Sequence, residues 1–229
     1  MTRMIKAFAT LLGAGMAFNA SGLLAAEYSG GPAAIIQCPA KGKLLKTFDL
    51  STGMAPWMAE GPGVPNSGKA RATPVDEASF PKGWAARLPG AVWVQAMPVL
   101  QAVPHDAGDF AFTLSFQVKK AKRMPRLTLE GAFIADDTFQ LELAEPAAPN
   151  NSIGHGIGRM NLDNVVGRAR QDEVQSFTIT ETGDGSGKPL GHRPGLYTIR
   201  IDVQNSAGRH AALGMLARIK LVAVCGGGK

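Results

Sequence analysis

The run Pro125 to Ala144, PRLTLEGAFIADDTFQLELA, constrains the fold more than any other stretch of the chain. Leu127, Leu129 and Phe133 fall on one side of its pattern, as do Phe139, Leu141 and Leu143 after Ala135-Asp136-Asp137, while Thr128, Glu130, Gln140 and Glu142 fall on the other. A period of two with one apolar face marks half-buried antiparallel strands, because successive side chains of an extended chain point to opposite sides. The alternation is clearest in Phe110, Phe112, Leu114, Phe116 and Val118, spaced by Ala111, Thr113, Ser115 and Gln117. It returns in Tyr197, Ile199, Ile201 and Val203, with Thr198, Arg200, Asp202 and Gln204 turned outward. Phe177 and Ile179 make a shorter strand, and a last one runs from about Leu213 to Val224.

A first ordered element is expected from Ala34 through Leu44 to Leu50, ending at Ser51-Thr52-Gly53. From Gly53 to Pro89 the chain is rich in Gly, Pro, Ala and Ser, which reads as a long packed loop fastened to the core by Trp57 and Trp84. A short strand at Ala91 to Ala96 places Val92 and Val94 on one side and Trp93 on the other. Helical period is confined to a turn or two around Leu162 to Arg170. The expected class is therefore all-β, a two-sheet antiparallel sandwich of jelly-roll type with about eight or nine strands and little helix.

Residues 1–26 read as a secretory signal peptide: Arg3 and Lys6 precede the apolar stretch Ala7 to Phe18, and Leu24-Ala25-Ala26 stands before the polar Glu27. That centre spans 12 residues, against about 20 for a membrane-crossing helix. No second apolar stretch of spanning length follows, so the expected mature chain, 27–229, is a soluble secreted or periplasmic protein with one sandwich domain and an ordered core over 34–225. Without Arg3 and Lys6, basic residues number 22 against 18 acidic ones, a net charge of +4. So mild an excess favours anionic surfaces such as acidic polysaccharide or lipid and does not single out nucleic acid.

Cys38 and Cys225 are the only cysteines. An even count in an exported chain suggests a disulfide, here from the first strand to the last; two buried thiols are the alternative. Two distant cysteines without a paired histidine are not a zinc pattern.

Ser51-Thr52-Gly53, Trp57 and Gly61, Ala91-Val92-Trp93-Val94, Gly108-Asp109-Phe110, Phe133 to Asp137, and Pro194-Gly195-Leu196-Tyr197 with Val203 and Asn205 follow one another in an order that resembles the galactose-binding-domain-like β-sandwich of many secreted bacterial proteins. The sequence departs from that pattern at Leu143-Ala144-Glu145, where an Asn-Gly turn is usual, and in a longer connection from Pro146 to Asp172. The resemblance implies a jelly roll whose first and last strands lie side by side, which suits a Cys38–Cys225 bridge. It also implies a non-catalytic module, often carbohydrate-binding, although fold alone does not fix function.

Asp136 and Asp137 can supply hard oxygen ligands to calcium or accept hydrogen bonds from sugar hydroxyls, or they can satisfy backbone amides at the corner between strands. The 146–172 insertion offers His155 and Arg159, a hydrogen-bonding pair for an anionic or hydroxylated ligand on a long loop, or a decorated loop without one. Lys119, Lys120, Lys122 and Arg123, followed by Arg126, form the densest positive cluster, suited to an anionic surface or to guarding a sheet edge. Gly183 to Lys188 reads as a hairpin loop; three residues rather than four separate its outer glycines, and Pro189 stands where a phosphate-binding loop has Ser or Thr. The four histidines, His105, His155, His192 and His210, lack metal-ligand spacing, and no serine occupies a nucleophile elbow.

These residues point to a secreted or periplasmic binding module without catalytic activity, directed at glycan or another anionic cell-envelope component. Its cofactor, if it has one, is calcium. A structural or assembly protein of the envelope or matrix is the alternative, and a hydrolase with a spatially assembled carboxylate pair the third reading.

Overall fold

The computed structural model describes residues 31–61, 63–64, 68–75, 88–96, 108–135, 138–146, 174–183, 186–205 and 214–226. Twelve strands lie within them: β1 (Ile35–Ile36), β2 (Leu44–Asp49), β3 (Met58–Glu60), β4 (Lys69–Arg71), β5 (Thr73–Pro74), β6 (Val94–Gln95), β7 (Gly108–Val118), β8 (Arg126–Ala135), β9 (Thr138–Ala144), β10 (Gln175–Ile179), β11 (Gly195–Asn205) and β12 (Gly214–Cys225). The first sheet has the order β4-β3-β7-β11-β9 with β1 beside β7, and the second β10-β8-β12-β6-β5 with β2 beside β12. Every pairing is antiparallel except that of β1 with β7. From β7 onward successive strands alternate between the sheets, as in a jelly roll. This is the all-β sandwich expected from the alternation, and the architecture implied by the resemblance to galactose-binding-like sandwiches.

The apolar sides of the alternating strands meet between the sheets. Phe112, Phe116, Leu129, Phe133, Leu141, Ile179, Tyr197, Ile201, Ile219 and Leu221 are all buried there. Gly131 sits in this face because a Cβ would stand 2.7 Å from the Arg218 carbonyl oxygen and 2.9 Å from the Phe177 ring. Trp57 is buried as well, its indole N–H donating to the Leu50 carbonyl at 2.9 Å, so this tryptophan does anchor its segment. Cys38 and Cys225 form a disulfide with a Cα–Cα distance of 5.5 Å, and β2 pairs with β12 from Leu44–Cys225 to Asp49–Lys220. First and last long strands are thus neighbours, closed at one end by a covalent bond.

Several expectations need correction. The element expected from Ala34 to Leu50 is two strands in opposite sheets, because the chain crosses the sandwich between Cys38 and Lys43. The stretch from Gly53 to Pro89 contains β3, β4 and β5. Strands of two or three residues are too short to show an alternation, which is why twelve strands stand where eight or nine were expected. Strands β8 and β9 do not pair with each other but belong to different sheets. Trp93 does lie opposite Val94, packed with Ala132, Ile134 and Leu216 in a second cluster on the outer face of the second sheet, but Val92 is exposed rather than buried with Val94. Trp84 and the 162–170 segment lie outside the described residues.

Candidate functional site

The outer face of the first sheet is a grid of polar side chains whose rows follow from the strand register. Residues paired across a sheet project to the same side, so one row reads Lys69, Glu60, Ala111, Asp202, Gln140. The next reads Arg71, Met58, Thr113, Arg200, Glu142, and a third begins with Ser115 and Thr198. Alternation dictates this composition: each strand that sends Phe, Leu or Ile inward must send its intervening residues outward.

Arg200 organises the grid. Its Nε donates to Asp202 Oδ1 at 2.8 Å and Oδ2 at 3.0 Å, and its Nη2 lies 2.7 Å from Asp202 Oδ1. Its Nη1 reaches 3.8 Å from Glu60 Oε2 in the adjacent row, across the small side chain of Ala111. Glu60 also meets Lys69 Nζ at 2.7 Å. Gln140 Nε2 donates to Glu142 Oε1 at 3.0 Å, and the Ser115 and Thr198 hydroxyls are 2.9 Å apart. Hydrogen bonding to Asp202, with Glu60 and Glu142 nearby, raises the pKa of Arg200 beyond its usual value, so the guanidinium is a permanent cation. Arg200 remains 42% exposed and Glu60 and Asp202 about 30%, so donors and acceptors are held in place yet face solvent. The described part of this face carries no aromatic ring, so it offers charged and hydrogen-bonding groups and no surface for stacking.

Beside it, a depression of about 330 Å³ is lined by Gly53, Ala55, Trp57, Arg71, Pro74 and Val94 among others. Trp57 gives its N–H to Leu50 and its ring to the core, so the polar side chains of this notch are those of Arg71 and Thr73.

Asp136, Asp137, His155 and Arg159 lie outside the described residues, as do His105 and His210. Lys119, Lys120, Lys122 and Arg123 follow β7 and are exposed. The stretch around Gly183 to Lys188 is held as a hairpin by Thr182 N–H to Lys188 O at 2.9 Å, Leu190 N–H to Thr180 O at 2.8 Å, and the Glu181–Pro189 bridge. Among the described residues no three of His, Cys, Asp and Glu gather as metal ligands. Among the described residues no helix is long and apolar enough to cross a membrane.

Sequence reasoning identified Arg200 and Asp202 as outward-facing without singling them out. The Arg-x-Asp spacing on one strand was the available signal, since positions i and i+2 share a face. Glu60 had no such signal, because its strand lies in a segment read as loop.

No protein-family model matches the chain, and no curated protein matches it. Among solved structures it is similar to TmCBM61 in complex with beta-1,4-galactotriose, at 12% identity and TM-score 0.37 over 73% of this chain and 87% of that one. It is also similar to carbohydrate-binding modules of the beta-sandwich superfamily described for promiscuous specificity, at 10% identity and TM-score 0.26 over 81% of this chain and 57% of that one. The enzymatically active domain of bacteriophage CBA120 tailspike protein 4 matches at 11% identity and TM-score 0.30, over 80% of this chain but 19% of that one. At such scores these neighbours carry no inference about what this chain binds.

Proposed function

We propose that this chain is an exported, non-catalytic carbohydrate-binding module whose saccharide lies on the outer face of the first sheet. The observation that carries the reading is Arg200 held between Asp202 and Glu60, with Gln140 and Glu142 alongside. Sugar hydroxyls donate and accept at once, and a solvent-facing surface that alternates fixed guanidinium, amide and carboxylate groups answers both roles. Binding is favoured over hydrolysis because the carboxylates of this face are engaged by donors: Asp202 by Arg200, Glu60 by Lys69, Glu142 by Gln140.

In the same proposal Asp136, Asp137, His155 and Arg159 contact a further part of the ligand, with calcium at the acid pair. Export follows from the basic, apolar and small-residue sequence of 1–26 and fits the disulfide. The test is a glycan array followed by calorimetry, with and without EDTA, on wild type and Arg200→Ala. Micromolar to millimolar binding that Arg200→Ala weakens tenfold or more supports the reading. Absence of binding to any glycan, or full binding by Arg200→Ala, removes it.

A further inference from the structure

One end of the sandwich combines exposed cations with exposed aliphatic side chains. It is the end where β7 and β12 finish and β8 and β11 begin, since Val118 pairs with Gly195 and Val224 with Arg126. Lys119, Lys120, Lys122 and Arg123 emerge there. Lys41 and Lys43 are brought to the same end from far along the chain. The Lys119 N–H donates to Ile36 O at 2.8 Å, Cys38 bonds Cys225, and a Cβ on Gly226 would stand 2.7 Å from Gly42 O. One acid there, Glu145, is buried and accepts the Gly183 N–H at 3.1 Å; Glu181 is the other among the described residues of this end.

The large exposed apolar residues of the described chain are Ile35, Leu45, Met54, Val92, Val174, Leu196 and Val224. Four of these seven, Ile35, Leu45, Leu196 and Val224, lie at the cationic end, 42–74% exposed. They are paired: Ile35 and Leu196 flank Gln117 on the outer face of the first sheet, and Leu45 adjoins Val224 on the outer face of the second. The register puts them within one or two residues of the strand ends, about 3–7 Å. Single exposed aliphatics are ordinary. Paired ones at both rims of a lysine-rich end are not accounted for by solubility or by protection of a sheet edge.

A soluble polyanion rewards only the cations, whereas a bilayer rewards both kinds of side chain. Phosphate headgroups meet the lysines, and aliphatic groups enter the boundary between headgroups and acyl chains, some 5–10 Å deep. We propose that this end of the sandwich docks on a membrane surface rich in anionic lipid. Docking end-on leaves the polar face around Arg200, which runs along the sandwich, open to solvent.

The test is co-sedimentation of the protein in its exported form with vesicles of phosphatidylcholine alone or with 30% phosphatidylglycerol, and competition by soluble polygalacturonate. Binding to the anionic vesicles only, weakened at least tenfold between about 0.05 and 0.5 M salt, is expected. Lys119→Gln/Lys120→Gln/Lys122→Gln lowers vesicle affinity about a hundredfold, at roughly fivefold per cation. Leu45→Ser/Leu196→Ser lowers it about tenfold or more; all five positions are exposed, and unchanged melting of both variants verifies the fold. Four results overturn the proposal: no binding to anionic vesicles, equal binding to neutral ones, polygalacturonate binding as tight as vesicle binding, or indifference to Leu45→Ser/Leu196→Ser. The salt series on wild type decides the electrostatic part should a variant fail to fold.

Discussion

Arg200 grips both carboxylate oxygens of Asp202, two residues along the same strand, at 2.8 and 3.0 Å while standing 3.8 Å from Glu60 two strands away. An ion pair this exposed contributes about 0–1 kcal/mol to stability, so its rigidity matters chiefly for what it presents. Arg200→Ala is expected to change the free energy of unfolding by less than about 1 kcal/mol and to lower saccharide affinity by tenfold or more, through loss of charge-assisted hydrogen bonds. Arg200→Lys should recover only part of that affinity, because an ammonium cannot donate to both oxygens of Asp202 in the guanidinium's planar geometry. Urea denaturation and calorimetry on the same samples separate the two effects.

The Cys38–Cys225 bond closes a loop with a sequence separation of 187 residues. Restricting the unfolded chain over that length is worth up to about 5 kcal/mol in the chain-entropy model, and losses of roughly 2–5 kcal/mol are usual when native bridges are removed. Cys38→Ala/Cys225→Ala should therefore unfold at markedly lower urea with an altered denaturant slope, since its unfolded state is less compact. Wild type treated with dithiothreitol under mild denaturant should follow it.

The long strands were legible because each carries five or more alternations over a continuous run. Phe110 to Val118 and Tyr197 to Val203 needed no tertiary information. Short strands were not legible: β3 and β5 exist because β7 and β6 lend them partners, β4 exists because β3 does, and pairing that starts from a strand elsewhere in the chain leaves no mark on two or three residues. The grid around Arg200 was half visible, since outward positions can be read along one strand while the register between strands is set by the fold. Glu60 joins Asp202 only because Ala111 aligns both. Likewise Lys41 and Lys43 could not be joined to the 119–123 cluster from sequence, because the disulfide and the β1–β7 pairing bring them together.

Gly131 marks a close approach of backbone and ring. A methyl group there would meet the Arg218 carbonyl oxygen at 2.7 Å and the Phe177 ring at 2.9 Å, and the carbonyl belongs to the central strand β12 and cannot swing away. Gly131→Ala is expected to destabilise by about 1–3 kcal/mol, the usual cost of overpacking, and Gly131→Val by more. Gly31, with nothing within 4 Å of its missing Cβ, is the control; Gly31→Ala should stay within about 0.5 kcal/mol of wild type. Thermal melts of the three variants check this.

Tyr197 links the core to pH. It is fully buried and stacked on Phe116 at 5.1 Å, and its hydroxyl donates to the Arg193 carbonyl at 2.9 Å. Burial, reinforced by the Glu145 carboxylate, pushes its pKa up to about 12 from 10.0. In the unfolded chain the phenol ionises first, so its contribution to stability is complete below pH 10 and is lost as pH rises through 12. The integrated loss is about 2–3 kcal/mol, at 1.36 kcal/mol per pKa unit. Tyr197→Phe removes this dependence: it should be about 1 kcal/mol less stable than wild type at pH 7 for want of the hydrogen bond, and the gap should close and then reverse between pH 10 and 12. Urea midpoints of the two proteins across that range, with the 295 nm absorbance of phenolate in a Tyr28→Phe background to isolate Tyr197, measure both halves of the expectation. A Tyr197 that ionises near pH 10 in the native state would show that its ring is open to water and that the sandwich is looser at this end than its packing implies.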